Sequence, residues 1–482
     1  MKIRLRTTLA TATAVALTGG LLTLATAAPA GAAPAKYADD FNGDGYRDLV
    51  TAAPTATVGG ATSAGAVVVN YGSASGIKAS RRTVLTQNTS GIPGTAENND
   101  QFGKELASGD LNNDGYADLV IGAPSEKVGD DANGGTAVII WGGSGGLSGG
   151  RTVPDPAPTA HDEFGVSLAV GDFSGDGKAD LAVGSNGNDV WIHKGGFTKA
   201  SGAASKYKVT APVKANVAGG GARSLASGDV NGDGTDDLAV SGIYTGDNTV
   251  YDGTLVYLGS SSGLAYQGVL KEDSEHATIG DINGDGYDDI VTSGFWGGSV
   301  DHLGGSISTH LGGSTGVAAE PTQTLAQDTA GVPGTDESGD LFGWAISLGD
   351  IDGDGYADAA VSAFYEEIGT INNTGTVTVL RGAPTGLSTS GSQLFSQNTA
   401  GVPGTAEAND YFGSAVSLTD LNGDGHADLS IGASGENSSD GALWSLRGAT
   451  SGITTTNAVS FGPSSAGVST SGYPSFGWEM LG

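Results

Sequence analysis

DLNNDGYADLVIGAP, residues 110–124, sets oxygen-bearing side chains at alternate positions of a glycine-kinked turn and runs straight on into an apolar strand. The nine-residue phrase at its start occurs seven times. It reads DFNGDGYRD from Asp40, DLNNDGYAD from Asp110, DFSGDGKAD from Asp172 and DVNGDGTDD from Asp229, then DINGDGYDD from Asp281, DIDGDGYAD from Asp350 and DLNGDGHAD from Asp420. Each copy offers oxygens at positions 1, 3, 5 and 9, with glycine at position 6 where the chain must fold back on itself. Calcium is a hard cation that takes roughly six to eight such oxygens from carboxylates, amides and backbone carbonyls. A lone DxNxDG also suits an Asx-rich turn with no metal. Seven in register, each clustering carboxylates that would otherwise repel, point to the ion.

The expected ligands follow copy by copy, the last-named residue of each set lending its backbone carbonyl. They are Asp40, Asn42, Asp44, Asp48 and Tyr46, then Asp110, Asn112, Asp114, Asp118 and Tyr116. The third set is Asp172, Ser174, Asp176, Asp180 and Lys178, and the fourth Asp229, Asn231, Asp233, Asp237 and Thr235. The fifth is Asp281, Asn283, Asp285, Asp289 and Tyr287, and the sixth Asp350, Asp352, Asp354, Asp358 and Tyr356. Asp420, Asn422, Asp424, Asp428 and His426 complete the series, so up to seven Ca2+ ions are expected. An EF-hand is excluded. It needs Glu at position 12 and helices on both sides, whereas position 12 here is Thr51, Ile121, Val183, Val240, Thr292, Val361 or Ile431. The flanks, such as DLVIGA and DLAVGS, are rich in β-branched residues, so each loop joins two strands.

At the N-terminus Lys2, Arg4 and Arg6 precede an apolar stretch over 9–28 and the small-residue run APAGAAPA. That order predicts a secretory signal peptide over residues 1–33, and a mature domain over 34–482. No later segment is apolar enough to span a bilayer, and the expected location is extracellular, released and without an anchor. Cysteine is absent, so disulfides cannot support stability outside the cell and bound metal takes that role. With 21 Lys and Arg against 53 Asp and Glu, the formal charge is −32. Nucleic acid, whose binding needs basic patches, is therefore not the expected partner. A protein or glycan ligand outside the cell is, with the chain acting as a monomer.

The loops begin 52 to 70 residues apart. Each interval holds an alternating strand such as FGKELASGD, the loop, a second strand DLVIGAP, a third such as GTAVIIWGG, a Gly/Ser turn and a weaker fourth strand. Four strands at that period predict an all-β fold, a seven-bladed β-propeller of four-stranded antiparallel blades. Phe-Gly stands eight residues before the loop aspartate at Phe102–Gly103, Phe164–Gly165, Phe342–Gly343 and Phe412–Gly413, and Gly-Ala-Pro is complete at 122–124. In these features the chain resembles the FG-GAP repeat of the integrin alpha-subunit propeller. The repeats with loops at 229 and 281 depart from the pattern, carrying Gly221–Ala222 and Asp273–Ser274 where Phe-Gly should be. Distorted blades are expected there. The first repeat lacks its own Phe-Gly strand, and the C-terminal SFGWEMLG supplies it. This terminal strand is expected to complete the first blade and close the ring, removing the exposed sheet edges.

With the loops joining first and second strands, all seven lie on one face of the disc. The resemblance implies ligand contact on the other face, where three long related loops run over 87–100, 327–340 and 397–410. Their acids Glu97, Asp100, Asp336, Glu337, Asp340, Glu407 and Asp410 are the candidates. Catalytic signals are weak. GxSxG at 142–146 and 312–316 falls in Gly/Ser turns with no helix following, unlike a nucleophile elbow. The six histidines form no HExxH. The expected function is a secreted, calcium-binding, integrin-alpha-like propeller acting in extracellular binding or adhesion, without catalysis. The alternatives are an extracellular hydrolase of glycan or phospholipid, or a non-catalytic scaffold.

Overall fold

The computed structural model describes residues 34–246, 250–270, 274–294 and 302–482. The expected signal peptide and Asp273 lie outside them. Among the described residues the strands form seven four-stranded antiparallel sheets, and the chain is a seven-bladed β-propeller. The second blade is typical, built from Glu105–Gly109, Asp118–Ala123, Thr136–Trp141 and Ser148–Val153. Its first two strands pair from Glu105↔Gly122 to Gly109↔Asp118, so the acidic loop is the hairpin between them. The second and third strands are buried on both faces, as blades packed between blades require, while the outermost strand is largely half-buried.

The inner strands touch in cyclic order. Glu105–Gly109 packs on Leu168–Gly171, which packs on Ser224–Gly228, and so on through His276–Gly280, Phe342–Gly349 and Phe412–Thr419 to Met480–Leu481, which returns to Glu105–Gly109. The C-terminal strand therefore closes the ring. It pairs with the first blade through Val50↔Leu481 and Thr51↔Met480, and the Ala52 N–H donates to Glu479 O at 2.9 Å.

Two apolar positions per repeat fill the space between blades. The Phe-Gly phenylalanines Phe102, Phe164, Phe342, Phe412 and Phe476 are fully buried. So is the second residue of every acidic loop: Phe41, Leu111, Phe173, Val230, Ile282, Ile351 and Leu421. Each such side chain contributes roughly 2–3 kcal/mol by leaving water. The two repeats without Phe-Gly nonetheless form complete sheets, with inner strands Ser224–Gly228 and His276–Gly280. In the first of them Val213, Ala222 and Tyr244 occupy one buried cluster. No helix among the described residues is long and apolar enough to cross a membrane.

Candidate metal centres

All seven acidic loops adopt one conformation, because the position-1 aspartate organises the turn from inside. Asp40 Oδ1 accepts the N–H groups of Gly43 and Asp44 at 2.7 and 3.2 Å, and its Oδ2 accepts that of Gly45 at 2.9 Å. Asp110, Asp172, Asp229, Asp281, Asp350 and Asp420 bond in the same way to positions 5 and 6 of their loops. Position 6 has a positive φ throughout, from 77° at Gly177 to 90° at Gly115 and Gly355, which explains glycine there. The position-9 aspartate ties the loop to the end of the third strand. Asp48, Asp118, Asp180, Asp237, Asp289, Asp358 and Asp428 accept the N–H of Gly72, Gly142, Gly195, Gly259, Gly312, Gly382 and Gly448 at 2.5 to 3.0 Å.

The hairpin carries positions 1, 3, 5 and 9 of every loop, but among the described residues only the sixth loop brings three of these carboxylates within 4.8 Å of one another, and there position 5 is not one of them. The donor set is all oxygen, as a hard cation requires, and two observations fit an ion. Asn112 Oδ1, at position 3, is buried with no hydrogen-bond partner. In the sixth loop the carboxylate oxygens of Asp350, Asp352 and Asp358 lie within 4.8 Å of one another. Burial, reinforced by the neighbouring acids, pushes the position-9 carboxyls up, to about 8 at Asp48 and about 7 at Asp118 and Asp237. Cationic side chains border several loops. Arg81 Nη2 lies 2.6 Å from Asp44, Lys199 Nζ 3.3 Å from Asp114, Arg381 Nη1 2.7 Å from Asp352, and Arg447 Nη1 2.9 Å from Asp428.

Position 7 turns its side chain away from the ligand oxygens and onto the preceding loop. A methyl group at Gly43 would sit 2.6 Å from Tyr116 Cε1, one at Gly232 2.7 Å from Tyr287, and one at Gly423 2.9 Å from Tyr46. Glycine at position 4 answers that contact. His426 packs on Gly353 in the same manner. Backbone bonds lace the loops together as well: the carbonyls of Asp40, Asp172, Asp229, Asp281 and Asp350 accept N–H groups from Ala117, Asp236, Asp288, Ala357 and Ala427 at 2.8 to 3.1 Å. The extra acids Asp236 and Asp288 serve this lacing, taking the N–H of Asp172 and Asp229 at 2.6 and 2.9 Å.

On the opposite face the three long loops each bury one aspartate in the same way. Asp100, Asp340 and Asp410 are buried and accept the N–H of Glu97, Glu337 and Glu407 at 2.6, 2.9 and 2.6 Å. Asp336 accepts the N–H groups of Leu303 and Gly304, and with His302 and Asp328 makes a group of potential metal ligands within 4.8 Å. The two GxSxG segments lie between third and fourth strands.

Sequence reading missed the axis of the ring. A cavity of about 390 Å³ there is lined by Lys104, Glu105, Arg223, His276, Trp344 and Glu479, among others. Burial pushes the Glu479 carboxyl up to about 7 against the opposing charge of Lys104, and burial together with the negative charge of Glu479 pushes that of Glu105 well above its ordinary value. Trp344 stacks on Phe364 at 4.7 Å, and Phe364 on Tyr411 at 4.9 Å. The signal was available: in several repeats the residues five and six places before the loop aspartate, among them Lys104 and Glu105, Arg223 and Ser224, and Trp344 and Ala345, line this cavity.

Five stretches of the chain, residues 37–69, 102–141, 164–204, 342–380 and 412–446, match the FG-GAP repeat. The two repeats lacking Phe-Gly fall outside them. Integrin alpha-5 of Xenopus laevis is 29% identical over 227 residues, covering 43% of this chain and 21% of that protein. Integrin alpha pat-2 of Caenorhabditis briggsae is 31% identical over 234 residues, covering 42% and 18%. Phosphatidylinositol-glycan-specific phospholipase D of Mus musculus is 33% identical over 147 residues, covering 30% and 17%. The chain spans about a fifth of the length of these relatives.

Proposed function

We propose that this FG-GAP repeat protein is a secreted, calcium-stabilised binding or adhesion module without catalysis of its own. The observation that carries the reading is the repetition of one all-oxygen loop in seven blades, laced into a ring on a single face. Ions held by positions 1, 3, 5 and 9 with the position-7 carbonyl neutralise the clustered carboxylates and fix each hairpin. They do no chemistry. Because they bind only the folded chain, their binding free energy adds to its stability. Similarity to integrin alpha chains supports an extracellular protein or glycan as the ligand, taken on the opposite face.

The test is a binding screen of the purified chain against extracellular polysaccharides, matrix proteins and cell-wall fragments, in calcium and in chelator. A calcium-dependent hit that disappears when loops 87–100 and 397–410 are replaced is the expected result. Calcium-independent melting would refute the role of the ions. The phospholipase D relative and the axial Glu105–Glu479 pair favour one control, hydrolysis of phospholipid and glycan substrates by the same preparation. Turnover abolished by Glu479→Gln would replace the binding reading with a catalytic one.

A further inference from the structure

The residue just before the glycine that ties each acidic loop to its third strand differs from blade to blade. It is aromatic at Tyr71 and Trp141, lysine at Lys194, leucine at Leu258 and Leu311, and arginine at Arg381 and Arg447. Its backbone is held beside the loop, because the N–H of the following glycine bonds the position-9 aspartate. In the first blade the side chain crosses to the second: the Tyr71 hydroxyl accepts the N–H of Leu147 at 3.3 Å. In the sixth and seventh blades an arginine makes that crossing and holds its own loop as well.

Arg447 Nη1 donates to Asp428 Oδ2 at 2.9 Å, and its Nη2 donates to Ser75 O at 2.5 Å, in the turn before the first blade's last strand. Arg381 Nη1 donates to Asp352 at 2.7 Å and to Asp358 at 3.4 Å. Its Nη2 lies against Gly452, in the matching turn of the seventh blade, where a methyl group would come within 2.4 Å of it; Gly76 leaves the same room for Arg447. Both contacts are shielded from water. The arginine side chains are 15 and 19% exposed, and those of Asp358 and Asp428 1 and 0%. The cations bordering the first three loops differ: Arg81, Lys178 and Lys199 are 44 to 55% exposed and meet only position 5, where water screens them. Among the described residues no Lys or Arg side chain pairs with a carboxylate of the fourth or fifth loop, where the equivalent residues are the two leucines.

A guanidinium stays charged at every accessible pH and presents its donors in a rigid fork. Asp352, Asp358 and Asp428 stand at positions 3 and 9 of their loops, so an ion entering these loops must draw carboxylates off the arginine or bind beside a like charge. We propose, resting on calcium binding by the acidic loops, that Arg381 and Arg447 are internal counter-ions that make the sixth and seventh loops a weak class of calcium site, and that filling these two loops loosens the arginines' hold on the next blade. Linkage makes the effect mutual: the arginine weakens calcium by the factor by which calcium weakens the arginine's contact. The Arg447 contact crosses the seam between the seventh and first blades, the blade that the C-terminal strand completes.

The experiment measures calcium bound to the full folded chain against free calcium, by equilibrium dialysis, in the parent, in Arg381→Gln, in Arg447→Gln and in the double variant. The parent should hold two ions several-fold more weakly than the rest. Each single variant should move one of them into the tight class, and the double variant both, with the total unchanged. Isotherms that superimpose on the parent's overturn the proposal and leave the loops as calcium sites. A parent that binds no calcium overturns the reading beneath it, and the proposal with it. Melting separates a counter-ion from a simple packing contact. The double variant should melt below the parent in chelator, and the gap should close in saturating calcium. A gap of equal size in both conditions assigns the arginines to packing alone and overturns the proposal; either single variant gives the same readout should the double variant fold poorly.

Discussion

Phe476→Ala tests whether the C-terminal strand carries the ring. Phe476 is fully buried between the first and last blades with Leu49, Val68, Leu443 and Met480, and its ring lies 6.4 Å from that of Phe461. Around it the chain is held by backbone bonds, Phe476 N–H to Asp440 O and Gly477 N–H to Ala52 O, both 3.0 Å. Truncating such a phenylalanine costs about 3–5 kcal/mol in transfer and cavity terms. Unfolding entropy near 2.1 cal/mol/K per residue, over roughly 450 residues, is about 0.9 kcal/mol/K. If the propeller melts as one unit, Tm falls by about 4 °C. Calorimetry in saturating calcium reads this directly, with Val459→Ala on an exposed outer strand as the control, expected to stay within about 0.5 kcal/mol. A Phe476→Ala melt within about 1 °C of the parent would refute the closure argument, because the closing strand would then be contributing nothing. Deleting 475–482 goes further. It bares the edge of Leu49–Ala53, and concentration-dependent aggregation should follow.

Three other outcomes follow from single contacts. Gly43→Ala forces a methyl to within 2.6 Å of Tyr116 Cε1 at a φ of +69°, so a loss of about 1–3 kcal/mol is expected by denaturant melting, partly recovered in the double variant with Tyr116→Ala. Arg447→Gln removes a guanidinium 2.9 Å from Asp428; calorimetric titration should register tighter calcium binding at that loop by several-fold, and weaker binding would count against arginine as the ion's competitor. The axial glutamates set a pH slope. With Glu479 raised to about 7 and an unfolded value near 4.3, the unfolded chain releases its proton first. The stability present below about pH 4.3 is therefore lost as pH rises towards 7. In saturating calcium Glu479→Gln should flatten the fall of Tm over that window, and an unaltered slope would locate the titration elsewhere.

Fold and first-face geometry were legible because the same physical demand is repeated seven times. A turn around clustered oxygens needs glycine at position 6, and an inter-blade core needs an apolar side chain at position 2, so both survive where Phe-Gly does not. Register came from the same source, since the loop fixes which strands form a hairpin. The missing first strand was recoverable from the C-terminal Phe476–Gly477 for a topological reason: a closed ring leaves one place for it. What escaped reading was long-range and unrepeated. Nothing local says that Glu126 meets Gln87, or that Asp236 bonds the backbone of Asp172. Arg381 and Arg447 were readable as turn residues after a third strand, but their reach back to Asp352 and Asp428 depends on strand register.

That contrast bears on where specificity resides. Residues that recur in every blade meet demands that every blade has, namely the hairpin, the lacing and the inter-blade core. A ligand that contacts one region of the disc cannot be recognised by them. Recognition must use residues at which the blades differ, and these gather on one side. Phe364 and Tyr365 stand where the second blade has Pro124 and Ser125, and they build the aromatic stack with Trp344 and Tyr411. The paired Glu105 and Glu479 arise only on the adjoining inner strands of the second and first blades. Gln87, Gln327 and Gln397, each bonded to a glutamate of the next blade, enter through three of the connections between blades. Exchanging Phe364–Tyr365 for Pro-Ser should therefore change ligand binding while leaving calcium binding by the seven loops intact. A calcium titration and the binding screen, run on the same variant, separate the two: lost loop calcium with retained ligand would reverse the assignment of the faces.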